Sequence, residues 1–133
     1  MTTTNLSIEE LKKRACETIE KRKNEIVGVA QQILANPEAG FRETKTAKLI
    51  SDKFQELGVR HKSGLALTGL KGCIPGGAGP GPRVAVIGEL DSLVVTEHPH
   101  ADPDTGAAHA CGCLLYTSPS PRDLSTSRMP SSA

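Results

Sequence analysis

The 133-residue sequence predicts an α/β fold, incomplete and confined to residues 1–112: two helices, then strands of a mixed sheet. Three observations carry that prediction. A capped amphipathic stretch opens the chain, a second amphipathic stretch follows a proline, and a β-branched run then leads into a loop dense in His, Asp and Cys. Beyond Gly112 no apolar period of either a helix or a strand continues.

Ser7 and Glu10 form an S-x-x-E capping box, a helix-start signal. Leu11, Ala15, Ile19, Ile26, Ala30 and Leu34 then recur at near-helical spacing, which predicts one long helix ending at Asn36-Pro37. Its other face carries Lys12, Lys13, Arg14, Lys21, Arg22 and Lys23, but Glu9, Glu10, Glu17, Glu20 and Glu25 are interleaved, so this is a solvated face and not a nucleic-acid surface. A second helix is expected over Glu43–Leu57, lined by Ala47, Ile50, Phe54 and Leu57, with Gly58 where a left-handed cap belongs. Val59 onwards reads as a short strand and Gly64–Ile74 as a second. Pro75–Pro82, PGGAGPGP, reads as a hairpin-type linker; a phosphate-cradling loop would need a Gly-Lys-Ser/Thr ending. Arg83–Glu89, RVAVIGE, reads as a strand buried on both faces. It delivers Glu89 and Asp91 to the end of a strand, where open α/β sheets present function, although such residues are also ordinary in turns.

Composition narrows the function. Sixteen basic against 15 acidic residues leave a net charge of +1, which argues against nucleic acid or an anionic membrane as a partner. No apolar run is long enough to span a bilayer, and the N-terminus lacks the apolar core of a secretory signal. Four cysteines in that context point to reduced thiols and a cytoplasmic protein. The only aromatic residues are Phe41, Phe54 and Tyr116, thin material for a self-sufficient core.

Residues 97–112 gather Glu97, His98, His100, Asp102, Asp104, His109 and Cys111. Imidazole, thiolate and carboxylate crowded after a strand are the donors of a divalent-metal site, although their spacing matches no closed structural zinc pattern. A solvated His/Asp loop is the alternative, stronger for His98 and His100 than for Cys111.

Three ordered blocks, NPEAGFRETKTAKLISDKFQELGV, GELDSL and HPHADPDTGAAHACG, resemble the start of the co-catalytic metal-dependent amidohydrolases and peptidases. That family includes aminoacylases, hippurate hydrolases and carboxypeptidase G; the GELD strand is most similar to aminobenzoyl-glutamate hydrolase-like members. The resemblance covers residues 7–112 and implies the N-terminal portion of a zinc-peptidase-like catalytic domain. It implies two divalent ions, zinc, manganese or cobalt alike, that activate water to attack the amide carbonyl of a small N-acyl amino acid or dipeptide-like substrate. By position, Cys111 matches a metal-binding cysteine, Asp91 the aspartate that orients a metal ligand, and Glu89 the neighbouring site where other branches carry His or Asp. His109 falls between ligand positions and is expected to build the loop. The family's next ligand is a histidine at position 113, where this chain has Cys113. The general base, the remaining ligands and a lid that joins two subunits follow later in the family. The chain as written is therefore expected to be inactive, and its unpaired strand edges to make it poorly soluble.

Residues 113–133 hold six serines and three prolines and no glycine. They read as a disordered Ser/Pro tail, or as something more specific. One codon choice for Cys113–Asp123, CLLYTSPSPRD, resembles the transposase end and adaptor of short-read sequencing libraries, and Ser127–Ala133, SRMPSSA, the flow-cell end of the same adaptor. Two such blocks in one frame mark the segment as non-native. The competing readings are a small noncatalytic interaction protein with a genuine tail, and a small metal-binding module using His109, Cys111 and Cys113.

Overall fold

The computed structural model describes residues 6–77 and 79–117. These divide into two units, one up to Asn36 and the other from Pro37 onward.

The first unit is helical. Helix α1 spans Ile8–Lys21 and α2 spans Lys23–Leu34. The Ser7 hydroxyl accepts the Glu10 amide at 3.2 Å, so half of the expected capping box forms; the Glu10 carboxylate turns instead to Arg14 at 3.0 Å. The single long helix is corrected to two. Arg22 leaves helical geometry (φ −99°, ψ 6°), sharing its amide between the Thr18 and Ile19 carbonyls, while its own carbonyl accepts from Ile26 and restarts the ladder. The Arg22 guanidinium forks onto the Glu25 carboxylate at 2.9 and 3.0 Å and spans the junction. None of the described residues in α1 or α2 is buried.

In the second unit α3 spans Thr44–Glu56. Its N-cap residue, Glu43, makes no side-chain cap bond, and Glu38 does that work from outside the helix. The Glu38 carboxylate accepts the amides of Lys45 (3.1 Å) and Thr46 (2.8 Å) and the Thr46 hydroxyl (2.9 Å), satisfying donors that every helix start leaves over. Burial pushes its carboxyl up, but these hydrogen bonds outweigh it and hold it below the ordinary value of 4.5. A carboxyl lowered on folding stabilises above its unfolded value and loses that contribution as the pH falls through its folded one. Glu38→Ala should therefore loosen α3 by about 1 kcal/mol at neutral pH. The gap between the two proteins in far-ultraviolet helicity should close on acidification from about pH 7 to about pH 3; a gap of constant size would rule out the charge.

The end of α3 follows the sequence. Gly58 adopts φ +67°, its amide reaches the Gln55 carbonyl at 3.0 Å, and Val59 reaches Phe54 at 2.7 Å, a complete Schellman cap. Strands β1 (Arg60–Leu65) and β2 (Gly69–Cys73) then pair antiparallel. The second strand starts later than the expected Gly64, because Gly64 (φ +73°) lies inside β1 where the register shifts between Lys62 and Leu65. The hairpin lies on α3 through Phe54, whose ring faces His61 at 5.2 Å. Gly72 permits that approach: a Cβ there would meet Val59 at 3.0 Å and Phe54 at 3.3 Å. His61 bridges Ser51 (2.8 Å) and the Val59 carbonyl (3.1 Å), and since a carbonyl only accepts, Nδ1 carries the proton.

Two further expectations are corrected. Arg83–Glu89 forms no strand, and Val84 and Val86 are 90% and 98% exposed. A strand buried on both faces needs partners along both edges, and no described residue pairs with this one. The Pro75–Pro82 segment accordingly joins no hairpin; it leads from β2 into that unpaired stretch. The mixture of α and β is as expected, but the strands form two separate antiparallel pairs, the second being β3 (Leu93–Val94) with β4 (Ala107–Ala108). Among the described residues the one parallel pairing is an isolated bridge between Ala39 and Ser92.

Of the segment expected to be a disordered tail, Cys113–Thr117 form a short helix, α4, and residues 118–133 lie outside the described residues. Among the described residues no helix is long and apolar enough to cross a membrane, and the only buried hydrophobic side chains are Ala107 and Ala108.

Candidate active-site cleft

The β3–β4 pair builds the candidate site. Leu93 stands opposite Ala108 and Val94 opposite Ala107. Beyond Ala108 the chain turns, the Ala110 amide bonding the Ala108 carbonyl at 2.9 Å. Ser92 is pinned from the other side by its amide on the Glu38 carbonyl at 2.8 Å. The loop between the strands closes on Asp102, whose Oδ1 accepts the amides of Asp104 (3.1 Å) and Thr105 (2.8 Å) and the Thr105 hydroxyl (2.8 Å). The Thr105 hydroxyl and amide hold the Asp102 carboxyl below the usual range. Gly106 then takes φ +67° and receives the Val95 amide on its carbonyl at 2.8 Å.

The resulting cleft, about 330 Å³, is lined by Ile87, Gly88, Glu89, Asp91, His109, Cys111 and Leu114. All three residues singled out as site residues, Glu89, Asp91 and Cys111, thus border one space. So does His109, which sequence reasoning assigned to loop building; its Nε2 is buried with no hydrogen-bond partner. Its place two residues before Cys111 was the available signal. Glu97, His98, His100, Asp102 and Asp104 do not line the cleft. His98 instead accepts the His100 amide at 3.1 Å, with the rings 5.8 Å apart, which makes these two histidines part of the turn.

A second carboxylate lies beside Asp91. The Cβ position of Gly40 is 3.8 Å from Asp91 Oδ2 and 4.0 Å from Glu43 Oε1. Glu43 is buried and accepts the Thr68 hydroxyl at 2.8 Å. Burial pushes its carboxyl up, yet hydrogen bonds from its own amide, from Thr68 and from the Phe41 amide leave it lowered. It ties the hairpin turn to the start of α3.

The donor types suit a divalent cation: an unpartnered imidazole nitrogen, a thiol and two carboxylates. Their placement does not. Among the described residues no three His, Cys, Asp or Glu side chains converge closely enough to hold a metal ion. Cys111 is diverted: its Sγ lies 3.0 Å from Cys113 Sγ and accepts the Cys113 amide at 3.5 Å. That thiol contact, together with the nearness of Cys111, burial and Glu89, pushes the Cys113 thiol up. In this chain the group does not fit the residues present.

No family model matches the chain, and no solved structure matches it. Curated proteins do. IAA-amino acid hydrolase ILR1-like 5 of Arabidopsis thaliana is 36% identical over 95 residues, 69% of this chain and 21% of its own length. Thermostable carboxypeptidase 2 of Saccharolobus solfataricus is 32% identical over 107 residues, 72% of this chain and 27% of its own. Hippurate hydrolase of Campylobacter jejuni is 31% identical over 87 residues, 63% of this chain and 22% of its own. The chain spans between a fifth and three tenths of the length of these relatives. Over those residues the chain is homologous to part of the amidohydrolases and carboxypeptidases.

Proposed function

We propose that the chain is part of an amidohydrolase whose complete form hydrolyses the amide bond of N-acyl amino acids or of aminobenzoyl-glutamate and dipeptide-like substrates. The observation that carries this is one cleft bordered together by Glu89, Asp91, His109 and Cys111, after a β-branched run. The names of the relatives favour the substrate class: one acts on amino-acid conjugates, one on hippurate, and one is a carboxypeptidase. In the complete protein Cys111 and Glu89 supply donors to a centre of two divalent ions, and Asp91 orients one of those donors. That protein is a cytoplasmic homodimer joined through a lid, and it takes a small amide without nucleic acid or membrane. The 133-residue chain is itself inactive, because position 113 holds Cys in place of an imidazole. Residues 113–133 are non-native, translated from sequencing adaptor.

The decisive experiment amplifies the source DNA with specific primers and reads through codon 112 by an adaptor-free method. The expected result is histidine at 113 and an open frame running on to an acidic general base. The complete product should hydrolyse hippurate, and the 133-residue chain should match the buffer control. If Cys-Leu-Leu-Tyr persists and the frame stops after Ala133, the hydrolase reading fails and a small binding module replaces it.

A further inference from the structure

Backbone strain in the second unit gathers in one place. Among the described residues, the non-glycine positions with positive φ are Phe41 (63°), Ala66 (46°) and Leu67 (82°). Large apolar residues rarely adopt such backbone, and those that do cluster where ligands are held. The three belong to one neighbourhood, because the Glu43 carboxylate accepts both the Phe41 amide and the Thr68 hydroxyl. Phe41 and Leu67 are nevertheless 69% and 74% exposed, so two large apolar side chains stand in solvent beside a buried carboxylate. This surface continues the cleft. Gly40, next to Phe41, has its Cβ position 3.8 Å from Asp91 Oδ2 and 4.0 Å from Glu43 Oε1, and no other atom beyond its chain neighbours lies within 4 Å. An open gap therefore leads from the cleft carboxylate to Phe41.

We infer that Phe41 and Leu67 form the apolar rest for the acyl group of the substrate, reached through the gap at Gly40, and that they favour aromatic over small acyl groups. The inference rests on the amidohydrolase reading and names which half of the amide this surface takes. An uncharged acyl group gains by leaving water for apolar side chains, and an aromatic one also stacks on the Phe41 ring. The amino-acid half carries a carboxylate, and Glu43, whose hydrogen bonds keep it ionised at neutral pH, repels it from this side. Phe41, Leu67 and Gly40 are thus specificity residues and take no part in the chemical step.

The test assays the complete protein, read through codon 112, on hippurate and on N-acetylglycine, which share the glycine and differ only in a benzoyl or an acetyl group. The ratio of kcat/KM for hippurate to that for N-acetylglycine should fall by about tenfold in Phe41→Ala and by a smaller factor in Leu67→Ala. Phe41→Tyr, which keeps the ring, should retain the ratio. Gly40→Ala fits at ordinary contact distances and without positive φ, so the fold should be kept while the narrowed gap lowers the ratio. Ile74→Ala removes a side chain of similar exposure just past the far end of β2 from the turn, and should leave the ratio at the parent value. An unchanged ratio in both Phe41→Ala and Gly40→Ala would overturn the inference and leave the amidohydrolase reading standing. So would an equal fall on both substrates, the signature of a packing role. A complete protein that hydrolyses neither substrate would overturn both.

Discussion

Gly106→Ala should open the β3–β4 pair and disperse the cleft. At φ +67° a side chain costs about 1 kcal/mol in backbone strain. The added Cβ would also sit 2.7 Å from Thr96 Cγ2 and 3.5 Å from Val94 Cγ1, an overlap worth about 1–3 kcal/mol because a threonine side chain is short and stiff at χ1. Two backbone bonds depend on this residue, Val95 N–H to its carbonyl and its own N–H to the Asp102 carbonyl, both 2.8 Å. A combined cost of about 2–4 kcal/mol should lower the exchange protection of the Val95 and Gly106 amides by a factor of at least about 30. Thr96→Ser in the same chain removes Cγ2 and should recover the steric share, leaving the strain. Gly88→Ala, with nothing within 4 Å of its Cβ, should change nothing. Unchanged Val95 protection in Gly106→Ala would show that the turn is not what aligns Asp91 with His109 and Cys111.

Phe54→Ala should detach the hairpin from α3. The ring is half-buried, so its loss should cost about 2 kcal/mol, below the 3–5 kcal/mol of a fully buried phenylalanine. It touches the Cβ space of Gly72, stands beside Val59 in the Schellman cap, and faces His61. Amides of Arg60–Lys62 and Lys71–Cys73 should exchange about 10–30 times faster, and the Ser51–His61 bond should become transient. Phe54→Leu should retain most of the protection, since it keeps apolar volume over Gly72. If alanine and leucine are equally damaging, ring-specific contact with His61 is the larger share; if neither matters, the turn clasp between Glu43 and Thr68 holds the hairpin by itself.

What was legible in the sequence was local. Ser7, Gly58 and the apolar spacing of α3 act through atoms only a few residues apart, and each stands where expected. What was not legible depended on distant partners. The cap of α3 comes from Glu38, six to eight residues before the groups it bonds, and no capping pattern has that spacing. Arg83–Glu89 has the composition of a buried strand, but composition cannot provide the neighbours that would bury it. Within the site, Glu89, Asp91 and Cys111 were singled out by the resemblance of GELDSL and HACG to a known family; donor residues after a β-branched run do not by themselves set them apart from Glu97, His98, His100 or Asp102. The proximity of His109 to them depends on the β3–β4 register, and the capture of Cys111 by Cys113 on a sulfur–sulfur distance.

The unpaired stretch at 83–89 also decides how this polypeptide meets a protease. Trypsin-like enzymes cut after basic residues in exposed, unpaired backbone, and Arg83 is exposed in a stretch that pairs with no described residue. A cut there would separate α3 and its hairpin from the four cleft residues. The Ser92–Glu38 amide bond and the bridge beside it would still join the two pieces. The fold therefore carries an exposed cleavage point between α3 with its hairpin and the cleft residues.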